Sequence, residues 1–194
     1  RANIPEAGWP CSIAILEKPS LILAILLPLA VLAQVPSQFI SGGAIAFSVL
    51  QVARLARWRT GWALGQPLLA ALHLGVFMLA LGMFLWGIAG LGFGPEAGAL
   101  HVLGIGCVGG MTMAVMTRAS LGHSGAALVA PKPMVWAFVM VAVAAVLRWL
   151  GNIVPADLYA VAMLGAGVLW VTAFGCFVIS MWSALVAPRK ARSQ

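Results

Sequence analysis

Long apolar stretches alternate along the chain with short breaks of proline, glycine and charged residues. A helix that crosses a bilayer needs about 20 mainly apolar residues. Breaks at 35–37, 59–66, 92–96, 122–133 and 151–157 leave six stretches of this kind. They predict spans over Ser20–Val35, Gln38–Ala53, Pro67–Leu91, Ala97–Thr117, Met134–Leu150 and Leu158–Val186. The first is short and expected to bend at Pro28, because an internal proline removes a helical hydrogen bond. The third opens on Pro67, which suits a first helical turn. The sixth is longer than a bilayer requires, so it should tilt or project. The runs lack the two-residue alternation of a membrane barrel, and open sheet edges do not face lipid. The predicted fold is therefore all-α, a polytopic transmembrane bundle over 20–186, with an N-terminal segment 1–19 and a basic tail 187–194.

Composition agrees with this reading. Of the 194 residues 63% are hydrophobic and 8% charged, whereas a soluble domain carries about 25% charged residues. That excludes a soluble enzyme, a disordered tail and a disulfide-rich secreted domain. The net charge of +7 does not indicate a nucleic-acid partner, because the cations sit at the ends of apolar runs. Six spans place Arg1, Lys18, Arg54, Arg57, Arg59, Arg118, Lys132, Arg189, Lys190 and Arg192 on one side and Arg148 alone on the other. By the positive-inside rule both termini are expected in the cytoplasm. Trp58, Trp62, Trp86, Trp149 and Trp182 lie near the expected boundaries and read as interfacial anchors. Cys11, Cys107 and Cys176 are far apart and form no CxxC motif. The sequence opens on Arg1, as expected of a fragment or a processed chain.

Ionisable groups at membrane depth are the first functional suspects. The four acidic residues, Glu6, Glu17, Glu96 and Asp157, all fall near span ends or in loops, which weighs against proton-coupled transport. No Walker loop, HExxH or GxSxG motif occurs. The three histidines remain. His73 lies about two turns into the third span, above Phe77, Ala80 and Phe84 on one helical face; a core histidine and a ligand fit it equally. His101 opens the fourth span, and at 3.6 residues per turn its face continues through Val108, Thr112 and Val115. Gly106 and Gly110 form a GxxxG pair on the other face, better suited to close helix packing. His123 follows Arg118 in the polar stretch Met116–Gly125. Arg118 offers a fork for a carboxylate such as a haem propionate; it also fits a helix C-terminus.

One helical rise per residue separates His73 from His101 by roughly 15 Å along the membrane normal, too far for one ion. His73 and His123 both lie towards the basic side, where a b-type haem between them is expected to be possible. Imidazole suits iron and copper. Cys107, Met111, Met113 and Met116 are soft copper ligands by type, but they point around the helix and read mostly as packing.

The run HVLGIGCVGGMTMAVMTRASLGHSG, from His101 to Gly125, closely resembles the signature stretch of the NnrS family, most strongly in GGMTMAVMTRASLGHSG. Leu72-His73-Leu74-Gly75 matches in position. Members of that family are polytopic bacterial inner-membrane proteins of the nitric oxide response, described as containing haem and copper. The resemblance implies a C-terminal half of a longer protein, with a preceding six-span half or other membrane subunits as partners. It also implies haem b and copper as cofactors, with His73, His101, His123 and Arg118 as the residues standing in matching stretches. The expected function is a membrane haem- and copper-binding protein that senses, binds or detoxifies nitric oxide. Nothing in the sequence specifies catalytic turnover. The alternatives are half of a transporter or permease, and a structural subunit of a larger membrane complex.

Overall fold

The computed structural model describes residues 13–58 and 60–186. The expected basic tail 187–194 lies outside them, as do Arg1, Glu6, Cys11 and Arg59. Every regular element among the described residues is helical: α1 (Ala14–Leu32), α2 (Ser37–Arg57), a short α3 (Thr60–Ala63), α4 (Pro67–Gly90), α5 (Glu96–His101), a π-helical stretch (Val102–Gly109), α6 (Gly110–His123), α7 (Lys132–Leu150) and α8 (Ala156–Val186). Among the described residues six helices are long and apolar enough to cross a membrane, with α5, the π stretch and α6 forming one continuous rod, Glu96–His123. The protein is a multi-pass membrane protein.

The spans fall where the apolar pattern puts them, with differences at their ends. α1 starts at Ala14, and helix continues through Pro19 and Pro28. α2 runs on to Arg57, carrying Arg54 and Arg57 in its last turn, where cations suit the helix dipole. The rod persists to His123, beyond the expected end at Thr117. It then turns at Gly125, whose φ of +74° is a left-handed conformation open to glycine. Glu17, Glu96 and Asp157 each occupy a first helical turn, the end that attracts negative charge.

The helices pack as an open row. α1 rests on α2, α2 on α4, α4 on the rod, the rod on α7 and α8, and α7 on α8. Glycines set the separations between helices. A Cβ at Gly75 would lie 2.9 Å from Met111 Cε, and one at Gly82 2.6 Å from Leu103. A Cβ at Gly106 would lie 3.0 Å from Met78 Sδ and 3.1 Å from Ala145 Cβ. Gly106 of the GxxxG pair thus faces α4 and α7 together, as close helix packing requires. Met113, Met134, Val141 and Phe177 fill the core between α6, α7 and α8. A second cluster around Met78, Leu85, Ala99 and Val102 lies nearer the other end of the bundle. Across α2 and α4, Ser48 Oγ donates to the Ala80 carbonyl at 2.7 Å. The outer faces of α1 and α8 expose Leu21, Ile25, Leu29, Val161, Leu164 and Val168, the surface that lipid solvates.

Candidate functional site

Two glycine contacts fix a register between α4 and the rod. Gly75 abuts Met111 and Gly82 abuts Leu103, so the two run antiparallel and His73 stands level with Thr112 or Met113. His101 lies eleven or twelve residues from that level in one direction, and His123 ten or eleven in the other. At 1.5 Å per residue each separation is roughly 15 Å. The histidines therefore occupy three levels, and no hydrogen bond or ring contact joins any two of them among the described residues. The expected approach of His73 to His123 does not occur, because helix continues to His123 and carries it past the start of α4. Nor do three His, Cys, Asp or Glu side chains gather to hold one ion among the described residues. Among the described residues no two histidines stand close enough to share one ion.

His73 is half-buried. Its Nδ1 lies 2.9 Å from the Leu69 carbonyl, one turn earlier in α4. Its Nε2 lies 3.3 Å from the Trp58 carbonyl at the end of α2. The Trp58 indole meets the imidazole edge-on. Arg54 stacks over that indole, its Cζ 5.4 Å from the ring centre. Arg54 also donates to buried Gln51 at 2.9 Å, while its Nε is buried without a hydrogen-bond partner. Trp58, read from the sequence as an interfacial anchor, is also part of a packed polar junction between α2 and α4. One and three turns beyond His73, Phe77 and Phe84 line an open apolar groove of about 420 Å³ against Val49 and Val52 of α2.

His101 is also half-buried and uses the same tether, Nδ1 to the carbonyl of Ala97 four residues earlier, at 2.5 Å. Its Nε2 has no hydrogen-bond partner among the described residues. A ring whose Nδ1–H is held by a carbonyl presents the Nε2 lone pair outward, the arrangement found in histidine ligands. The donor chemistry at both tethered histidines fits haem iron or copper. At His73 the Trp58 carbonyl faces Nε2; at His101 no group among the described residues does.

His101 is followed at once by the π-helical stretch Val102–Gly109. Such stretches are rare and concentrate at functional positions. The wider turn alters the helical faces, so the face drawn from His101 through Val108 at 3.6 residues per turn does not apply across it. The sequence signal is the density of Gly104, Gly106, Gly109 and Gly110, which lowers the preference for regular α-helix.

His123 and Arg118 are both exposed at the basic end of the rod. Met113 is buried in the core and Met111 packs on Gly75, which removes both from any open ligand position. Cys107 is half-buried against the second core cluster, and Met116 is exposed.

The family model described as NnrS protein matches residues 7–189. No curated protein and no solved structure matches the chain. The family match takes in every span from α1 to α8, and with it the tethered histidines and the π stretch: the chain belongs to the NnrS family.

Proposed function

We propose that this protein is a membrane-embedded haem- or copper-binding component of the nitric oxide response. Family membership supports the nitric oxide role. The observation that carries the binding role is His101, with Nδ1 tethered to Ala97 and Nε2 without a partner among the described residues, at the mouth of a π-helical stretch. A bound haem iron or copper ion would supply the affinity for a diatomic gas. The chain's own part is to hold the imidazole in one tautomer, to keep water away with apolar helices and to set the depth of the ligand. His73 is the second ligand position, available once the Trp58 carbonyl moves aside. Arg118 and His123, exposed at the basic end, suit the propionates of a haem seated there or an incoming copper ion. Lys18, Arg54, Arg57, Arg118 and Lys132 lie at one end of the bundle and Arg148 at the other. This asymmetry supports a bacterial inner-membrane location with the basic end in the cytoplasm.

The test is metal analysis with an optical spectrum on detergent-purified protein from haem- and copper-replete cells, repeated for His73→Ala, His101→Ala and His123→Ala. The expected result is a bound chromophore or metal that responds to nitric oxide and is lost or shifted in His101→Ala. Colourless, metal-free protein from such cells would sink the reading.

A further inference from the structure

Arg148 is the one Lys or Arg at the end of the bundle opposite the other cations among the described residues. It stands in the last turn of α7, at the depth where lipid headgroups begin. Its Nη1 faces the Met163 sulfur of α8. A thioether is a weak acceptor, and among the described residues no carboxylate pairs with this guanidinium. Glu96, at the same end, accepts instead from Trp86 Nε1 at 3.0 Å.

The same arginine closes one end of an apolar groove of about 470 Å³ between the π stretch and α8. Gly104, Val108 and Thr112 form one wall, and Gly167, Trp170 and Phe174 the other. The α8 wall follows a single helical face from Met163 to Phe174, a length of roughly 16 Å. Two glycines keep it open, since a Cβ at Gly104 or at Gly167 would meet nothing within 4 Å. The groove is therefore long and greasy, with one unneutralised planar cation at its headgroup end.

We propose that this groove is a binding site for an anionic phospholipid, its acyl chain lying between the π stretch and α8 and its phosphodiester on Arg148. Guanidinium matches phosphate through paired, charge-assisted hydrogen bonds. The acyl chain fills space that no side chain among the described residues occupies. Charge complementarity selects an anionic lipid over a zwitterionic one, whose ammonium group offsets the phosphate. The proposal goes beyond the metal-binding reading and involves none of its candidate ligands.

Full-length protein is equilibrated with equimolar phosphatidylglycerol and phosphatidylcholine, and retained lipids are counted by native mass spectrometry. The wild type should favour phosphatidylglycerol about fivefold, the preference conferred by roughly one basic residue at a membrane surface. Arg148→Gln should bring the ratio to parity, and Arg148→Lys should keep most of it. Gly167→Leu, which puts a side chain into open space, should reduce retention of both lipids. Helical circular dichroism reports whether each variant is folded. The proposal is overturned by an unchanged ratio in Arg148→Gln, by a ratio that follows Lys132→Gln instead, or by a second copy of the chain in place of lipid. Metal content read on the same samples is expected to be unchanged, so this test and that of the metal reading fail separately.

Discussion

The indole of Trp58 stands edge-on to the imidazole of His73, with ring centroids 5.9 Å apart and planes at 81°. The backbone carbonyl of Trp58 lies 3.3 Å from His73 Nε2. One residue at the end of α2 therefore holds both the ring and the Nε2 of the histidine on α4. Trp58→Ala removes the ring contact and the seat for Arg54, while the carbonyl remains. The expected loss of stability is about 1–3 kcal/mol, the aromatic pair adding to the area lost. Denaturant titration in detergent, followed by helical circular dichroism, measures it. A midpoint equal to wild type would show that the junction contributes nothing.

Glycine positions differ sharply in what they tolerate. A Cβ at Gly82 would stand 2.6 Å from Leu103 side-chain atoms and 3.1 Å from the Leu103 nitrogen. Backbone cannot rotate away as a side chain can, so α4 and the rod must separate. Gly82→Leu should cost about 1–3 kcal/mol, whereas Gly104→Ala, which opens onto free space, should stay within about 0.5 kcal/mol. The same denaturant titration compares the two. Equal effects would contradict a close approach of α4 to the rod at Gly82.

The contrast between these glycines marks what the sequence could and could not reveal. Span number and approximate limits were legible because apolar length and breakers act locally along the chain. The role of Gly106 in close packing was legible too, since small residues at i and i+4 share a helix face. The contact of Trp58 with His73 was not: tryptophan near a span end reads as an interfacial anchor, and a partner fifteen residues away on another helix leaves no local signal. The separation of His73 from His101 was legible from helical rise, but the level of His123 was hidden for a similar reason. That level depends on where α6 stops, and its six residues beyond Thr117 move His123 away from His73. The π stretch was missed because a period of 3.6 was applied through a glycine-dense segment that does not keep it.

Ser48 and Ala80 supply a smaller, cleaner measurement. The hydroxyl donates across the α2–α4 interface at 2.7 Å and is buried. Interhelical hydrogen bonds inside membranes average about 0.6 kcal/mol and reach about 1.7. Ser48→Ala should fall in that range, because the Ala80 carbonyl keeps its own helical bond. A double-mutant series with Gln51→Leu, one turn further along α2, would show whether the two polar positions act independently; a coupling above about 0.5 kcal/mol would mean that they do not.

The separation of the histidines follows from the register of α4 against the rod, and cross-linking can test that register directly. A Cβ at Gly75 would lie 3.4 Å from Met111 Cβ, close to the span of about 3.5–4.5 Å that a disulfide bridges. In a chain lacking Cys11, Cys107 and Cys176, the pair Gly75→Cys and Met111→Cys should form an internal disulfide on mild oxidation, detected by mass spectrometry of the linked peptides. The pair His73→Cys and His123→Cys should not, because their levels differ by roughly 15 Å. If the second pair linked and the first did not, Gly75 would not abut Met111, and α4 would be shifted along α6. His73 and His123 could then face one another, and a shared haem would return as the better account.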